Sequence, residues 1–223
     1  MRKYLKYPYD YRLYNQILLK EINKGVDCRS RVVRIANFMI KKFPKISYFW
    51  GGGHEYNKSD LLGVNKFWGA NRRISEGGLE KQPIGMICPY GLDCSGFVTW
   101  CLVNANYEID DYLSLEKKKS GNYALDSIDF LEMGEIYSLC ESNCKVAQVG
   151  DIAWMKGHVG IIVKVNHKYL DIVHVSLSGA GSNLTRISWE TGVIIKDDVG
   201  EINKFNKTRK GKKYFTHFIK MQY

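Results

Sequence analysis

Cys94, His158 and His174 are the residues whose types and spacing could carry out chemistry together. Cys94 stands in a polar, glycine-bracketed segment, and between Phe97 and Ala105 apolar side chains recur three and four positions apart. That spacing predicts a helix that begins near Cys94. Unpaired backbone N–H groups and the positive end of the helix dipole favour a thiolate there. Because an isolated cysteine is more often buried filler than a nucleophile, this interpretation requires a histidine partner.

The two histidines lie in neighbouring apolar runs that predict a β-hairpin. His158 opens a run that ends at Val165, and His174 lies in a second run that begins at Tyr169. If Val165 faces Tyr169 across the turn, Gly160 faces His174, and the histidines become diagonal neighbours on one face. A register shifted by one residue would put them on opposite faces. We therefore predict a Cys-His-His site.

Four short motifs follow one another along the chain. They are Tyr48-Phe49-Trp50-Gly51-Gly52, Asp93-Cys94-Ser95-Gly96, Gly150-Asp151 ahead of His158-Val159-Gly160, and Val173-His174. In type and order they resemble the NlpC/P60 family of papain-like cysteine peptidases. The resemblance extends from Val32 to Ile195, which is most of the chain. One motif alone would be a weak signal, whereas four in order are a strong one.

The resemblance implies a papain-like α+β fold, with N-terminal helices packed on a central antiparallel β-sheet. It also implies a cysteine peptidase that hydrolyses the bond after γ-D-glutamyl in peptidoglycan stem peptides. In such a site Cys94 is the nucleophile, His158 shares its proton, and His174 orients the imidazole of His158.

Tyr48, Asp93 and Ser95 are the candidate substrate-binding or oxyanion residues. In similar enzymes the tyrosine gives an O–H to the oxyanion site or the substrate pocket, and the acid at Asp93 meets the free amine of a stem peptide. The glycines after this tyrosine let the backbone approach a ligand closely. Alternatively, 46–54 is a loop with core aromatics in which His54 has no special role, and Asp93 is only the N-cap of the catalytic helix.

We divide the chain into an N-terminal extension, residues 1–25, and a catalytic domain, residues 26–223, with an insertion at about 55–88. The insertion either forms one wall of the substrate cleft or is a solvated loop with no role in binding. The other predicted helices are Tyr14–Ile22, a helix capped by Asp27 and limited by Pro44, and Ser127–Met133. The predicted strands are 150–156, 158–165, 169–175, 192–195 and 214–221, with a turn at 176–183.

The composition is that of a soluble globular protein. The chain has 223 residues, of which 45% are hydrophobic, enough to bury a sizeable core. No run approaches the roughly 18 consecutive apolar residues of a membrane span, so we predict none. The N-terminus lacks the apolar stretch of a signal peptide. The implied function favours the cell wall or the extracellular space, while the missing signal leaves a cytoplasmic location open.

The strong positive charge favours polyanionic partners. The net charge is +10 and the pI is about 9.2, which suits wall polymers, nucleic acid or anionic lipid alike. The resemblance selects among them: we expect peptidoglycan or its stem peptides and anionic wall polymers, no nucleic acid, and a monomer. The basic segment Lys204–Lys213 is either a wall-polymer contact or a solvated loop.

Six cysteines in a chain that is neither short nor dominated by loops predict mostly free thiols. Cys140 and Cys144 have a spacing compatible with zinc, but no second Cys/His pair lies nearby in sequence, so we predict no metal and no cofactor.

Two other classes of function stay open. One is a papain-like amidase or transacylase on a non-wall substrate. The other is a non-enzymatic basic binding protein, against which the joint presence of Cys94, His158 and His174 argues.

Overall fold

The computed structural model describes residues 11–43, 46, 48, 51–54, 58–64, 72–73, 87–88, 91–121, 123–176, 181–190, 194–197 and 215–223. Most of the insertion and the basic segment 204–213 lie outside these residues. Within them, none of the helices has the length and apolar character needed to cross a membrane.

Two helices open the described chain close to where the sequence predicts them. Helix α1 spans Tyr11–Asn23 and helix α2 spans Cys28–Lys42. The carboxylate of Asp27 accepts a hydrogen bond from the backbone N–H of Ser30 at 2.7 Å, and the Ser30 hydroxyl accepts one from the backbone N–H of Asp27 at 3.1 Å. This capping box satisfies amides for which the helix itself supplies no acceptor. The predicted N-cap at Asp27 is therefore confirmed.

Helix α3 spans Cys94–Asn104, and every one of its residues is buried. It packs against α2 on one side and against the sheet on the other. A helix that is apolar on all sides is expected at such a central position. A shorter helix, α4, spans Leu115–Ser120, and 3₁₀ turns occupy Lys58–Leu61, Asp110–Tyr112, Asp129–Glu132 and Glu141–Asn143.

The main sheet has seven antiparallel strands, and with the helices it makes the fold α+β. A separate short pair joins β1, Arg72–Arg73, to β2, Ile87–Cys88. The seven strands of the main sheet are β3 Gly134–Ser138, β4 Ile152–Met155, β5 His158–Val165, β6 Tyr169–Ser176, β7 Gly181–Ser188, β8 Ile194–Asp197 and β9 His217–Met221. Their spatial order is β3-β9-β4-β5-β6-β7-β8.

Two of these strands were not predicted. The turn predicted at 176–183 is wrong from Gly181 onward, because β7 begins there. Strand β7 begins with the polar sequence Gly-Ser-Asn, which gives no strand signal because strand prediction depends on the alternation of apolar residues. Strand β3 lies at the sheet edge and alternates weakly between exposed and half-buried residues. The predicted helix at Ser127–Met133 is also wrong: its centre is the 3₁₀ turn Asp129–Glu132.

Each face of the sheet has its own apolar core. The larger core lies between the sheet and helices α2 and α3, and includes Val159, Ile161 and Val173. The smaller core includes Ile162 and Ile172. Because successive side chains of a strand point to opposite faces, His158 and His174 share the face of Ile162 and Ile172. The histidines therefore belong to the smaller core.

The Gly150-Asp151 motif connects α2 to the sheet. The carboxylate of Asp151 is fully buried; it accepts a hydrogen bond from Arg29 at 2.7 Å and another from the backbone N–H of Gln148 at 2.7 Å. Arg29 also donates to the carbonyl of Met221 at 2.6 Å, which is in β9. Burial raises the pKa of Asp151 even though Arg29 opposes the shift. Arg29 therefore compensates the negative charge of a carboxylate that is shielded from water.

Replacing Arg29 with Met should lower the free energy of unfolding by about 2 to 4 kcal/mol, because it leaves the buried Asp151 carboxylate without its cation. Arg34→Met on the same helix is the matched control. Arg34 pairs with Glu21 at 3.4 Å, and both side chains are substantially exposed, so its loss should cost less than about 1 kcal/mol. Urea unfolding measures both variants. Equal losses would mean that the Asp151 pair has no special structural importance.

Candidate functional site

A glycine turn packs against the first turn of α3. The backbone N–H of Asp93 donates to the carbonyl of Gly52 at 2.9 Å. Gly53 has a φ of +83°, and a Cβ atom placed on Gly96 would lie 1.9 Å from the Gly52 carbonyl oxygen. Only glycine fits this approach of two backbones. The glycines of the motif that begins at Tyr48 therefore position the start of α3.

Cys94 is the first residue of α3, and 5% of its surface is exposed. Its sulfur lies 3.8 Å from the carbonyl oxygen of Gly157 and interacts with the backbone N–H of Val159. The Cys94 sulfur is thus held by the backbone on both sides of His158. This places the thiol at the start of β5, where the sequence predicts its histidine partner.

Burial raises the pKa of Cys94 to about 12, and the negative charge of Asp93 acts in the same direction. The backbone N–H groups of Val159, Ser95 and Cys94 itself act in the opposite direction but do not outweigh burial. The helix end alone was expected to favour a thiolate. In the resting protein the helix end does not offset the effect of burial on the pKa of Cys94. Ionisation of this thiol therefore requires a nearby group that takes the proton.

His158 and His174 contact each other directly. The Nε2 atom of His158 lies 3.1 Å from Nδ1 of His174, and their rings meet edge to face at 89°. Both histidines are buried. A Cβ atom on Gly160 would lie 2.9 Å from Cβ of His174, so Gly160 and His174 face each other as predicted. The prediction that both histidines share a face is confirmed.

The register at the hairpin turn differs from the prediction. Val165 pairs with Leu170 rather than with Tyr169, and an irregularity between Ile162 and Lys164 absorbs the difference. Such a bulge adds one residue to one strand without turning the rest of that strand over. The predicted pairing was therefore wrong at the turn and correct at the histidines.

Thr185 and Phe215 also contact the histidine pair, and neither was predicted from the sequence. The Oγ1 atom of Thr185 lies 2.9 Å from Nε2 of His174. The ring centroid of Phe215 lies 5.4 Å from that of His158 and 5.6 Å from that of His174. Both residues are buried. The histidine pair therefore has a polar partner at one end and an aromatic cover.

Asp93 and Ser95 form a second polar cluster with His54. One Asp93 oxygen accepts hydrogen bonds from the backbone N–H of Gly96 at 2.7 Å and from the Ser95 hydroxyl at 3.0 Å. The other accepts one from the backbone N–H of Gly51 at 2.9 Å. The Nε2 atom of His54 lies 3.2 Å from the latter oxygen and 3.2 Å from the Ser95 hydroxyl. Asp93 is thus the N-cap of α3 and also the centre of a buried network.

The network keeps Asp93 ionised. Burial alone would raise the pKa of Asp93, but His54 and the hydrogen bonds from Gly96 and Ser95 outweigh it, and the net pKa is lowered. The interpretation of His54 as an ordinary loop histidine is wrong, because this side chain is buried against the residue that precedes the nucleophile. A histidine after three glycines carries no sequence signal that would have revealed this contact.

Tyr48 is half-buried and packs against the larger core. Phe49 and Trp50 of the same motif lie outside the described residues. The structure thus sets the Cys94 sulfur against the backbone on both sides of His158 and brings His158 into contact with His174. Asp93 and Ser95 lie at the same helix start as Cys94, and Tyr48 packs against the larger core.

Cysteines 28, 94, 101, 140 and 144 are free thiols. Among the described residues no group of three or more His, Cys, Asp or Glu side chains is arranged to hold a metal ion. Lys117 forms an ion pair with Asp126 at 2.8 Å and contacts Asp129.

A buried thiol at a helix end, set against the backbone that flanks His158, together with a pair of imidazoles in contact, is an arrangement suited to nucleophilic acyl chemistry. Comparison of the chain with protein-family models, curated protein sequences and solved structures gives no significant match. The functional interpretation therefore rests on the geometry of the site and on the motifs that form it.

Proposed function

We propose that the protein is a cysteine peptidase of the NlpC/P60 type, with a papain-like arrangement of helix and sheet, that hydrolyses amide bonds in peptidoglycan stem peptides. The observation that carries the proposal is the 3.1 Å contact between Nε2 of His158 and Nδ1 of His174, together with a helix N-terminal thiol whose sulfur meets the backbone on both sides of His158. Core histidines do not need this arrangement, whereas a base that must face a nucleophile does.

The geometry favours a definite division of roles. Because Nε2 of His158 is directed to His174, Nδ1 is the ring nitrogen that takes the proton of Cys94. The sulfur then attacks the carbonyl carbon of the scissile amide. The backbone N–H groups of Cys94 and Ser95 already point toward the sulfur. Donors in this position can stabilise an oxyanion that forms beside it.

The proton then moves from His158 to the leaving nitrogen, the C–N bond breaks, and a thioester to Cys94 remains. Water attacks this thioester and gives a proton to His158, which returns it to the sulfur when the acid leaves. Burial and Phe215 keep other water molecules from the rings, so the hydrogen bonds within the site are stronger than they would be in bulk water.

The substrate class depends on the family resemblance and on charge. The net charge of +10 suits polyanionic surroundings in general, and the resemblance selects the cell wall among them, so we place the protein's action there. The rival proposal is a papain-like amidase or transacylase on a non-wall substrate, and the same three residues would serve it equally well.

Digestion of purified peptidoglycan fragments, read by mass spectrometry, tests the proposal. We expect wild-type protein to release fragments cut after γ-D-glutamyl, and the Cys94→Ala variant to release none. Transfer of the acyl group to an added amine without cleavage of stem peptides would favour the transacylase instead. Cleavage by Cys94→Ala equal to that of the wild type would rule out this site.

A further inference from the structure

We infer that Thr185 is a positioning residue that keeps Nδ1 of His158 without a proton, so that this nitrogen can act as the base. This inference rests on the proposed function, because it assigns a role within the same site. Thr185 lies on β7, next to the strand that carries His174. Its hydroxyl is fully buried in the smaller core and lies 2.9 Å from Nε2 of His174.

The strand register brings these three side chains into one row. His174 pairs with Asn183, and Thr185 pairs with Ile172, so Thr185 and His174 are diagonal neighbours on one face. His158 stands in the same diagonal relation to His174 on the other side, because Gly160 faces His174. The row crosses β5, β6 and β7 and ends at Thr185.

Each contact in this row constrains the next. A neutral imidazole carries one N–H, so one of its nitrogens donates and the other accepts. Suppose that the Thr185 hydroxyl accepts a hydrogen bond from Nε2–H of His174. Nδ1 of His174 then carries no proton and must accept a hydrogen bond from Nε2–H of His158. Nδ1 of His158 is then without a proton and can act as the base.

The opposite arrangement would disable the site. If Thr185 donated to Nε2 of His174, then Nδ1 of His174 would carry the proton and donate to Nε2 of His158. His158 would then hold its own proton on Nδ1 and could not take one from Cys94. Catalysis therefore requires Thr185 to be the acceptor, and a valine in its place would leave His174 free to adopt either tautomer.

Nitrogen NMR of protein labelled with ¹⁵N-histidine tests this directly in the wild type. We expect a proton on Nε2 of His174 and none on its Nδ1. The reverse tautomer would overturn the inference, and this measurement requires neither a variant nor a substrate.

Variants extend the test. Thr185→Val keeps the shape and removes the hydroxyl, and it should slow alkylation of Cys94 at neutral pH by about tenfold. Thr185→Ser should restore the rate to within about threefold of the wild type. Thr99→Val is the matched control: Thr99 is equally buried and accepts from the backbone N–H of Leu125 at 3.2 Å, but it lies outside the histidine row.

If Thr185→Val and Thr185→Ser alkylate at the same rate, or if Thr185→Val leaves the His174 tautomer unchanged, Thr185 has only a structural role. These readouts do not depend on peptidoglycan. A correct tautomer together with no cleavage of stem peptides would therefore uphold the role of Thr185 and reject the proposed substrate.

Discussion

His158→Ala is expected to lower kcat/KM on stem peptides by about a hundredfold to ten-thousandfold, the usual contribution of a positioned general base. The reason is the environment of Cys94. Burial and the charge of Asp93 raise the pKa of this thiol to about 12, so at neutral pH it scarcely ionises unless an imidazole accepts its proton. Steady-state kinetics on a soluble stem peptide measures the loss.

Two further histidine variants serve as comparisons. His174→Gln should cost less than His158→Ala, because it disturbs orientation and not proton transfer itself. His167→Ala should be nearly neutral, since His167 lies in the exposed turn between β5 and β6. A loss at His167 as large as that at His158 would contradict the assignment of the base.

Asp93→Asn should remove a preference for substrates with a free amine. The wild type is expected to cut stem peptides with a free N-terminal amine roughly tenfold to a hundredfold better than acetylated ones, because a carboxylate beside the cleft can pair with the ammonium group. The contacts between Asp93 and His54, at 3.2 and 3.3 Å, are longer than its bonds to Gly51 and Gly96. We therefore expect the substrate ammonium to replace the His54 contact and not the two backbone hydrogen bonds.

The same variant distinguishes binding from folding. Asparagine is as good an N-cap as aspartate, so α3 should keep its start. Removing the negative charge of Asp93 also removes one cause of the raised pKa of Cys94, so alkylation of Cys94 should be unchanged or faster. Equal rates on free and acetylated stems in the wild type would mean that Asp93 is a helix cap alone.

The parts of the fold that local sequence controls were predictable. Asp27 as an N-cap predicts the start of α2, and the segment after Asp93 predicts α3. The apolar runs 158–165 and 169–175 predict β5 and β6 because both are long and end at a polar turn. His158 and His174 lie on this hairpin, so their proximity could be predicted from its register.

The remaining features depend on contacts between distant segments. Strand β7 carries few apolar residues at its start, so Thr185 could not be placed beside His174 from sequence. His54 reaches Asp93 only because three glycines let the turn pack against α3. The raised pKa of Cys94 also follows from burial, which the helix position alone does not predict.

Competitive labelling with iodoacetamide, read by peptide mapping at neutral pH, tests the central claim most directly. Cys94 should react fastest of the six cysteines despite being only 5% exposed, because it starts α3 with its sulfur against the backbone on both sides of His158. Its rate should fall at least about tenfold in His158→Ala, while labelling of Cys140 stays the same. Preferential labelling of Cys28, Cys88 or Cys140 in an active protein, or an unchanged Cys94 rate in His158→Ala, would contradict the account.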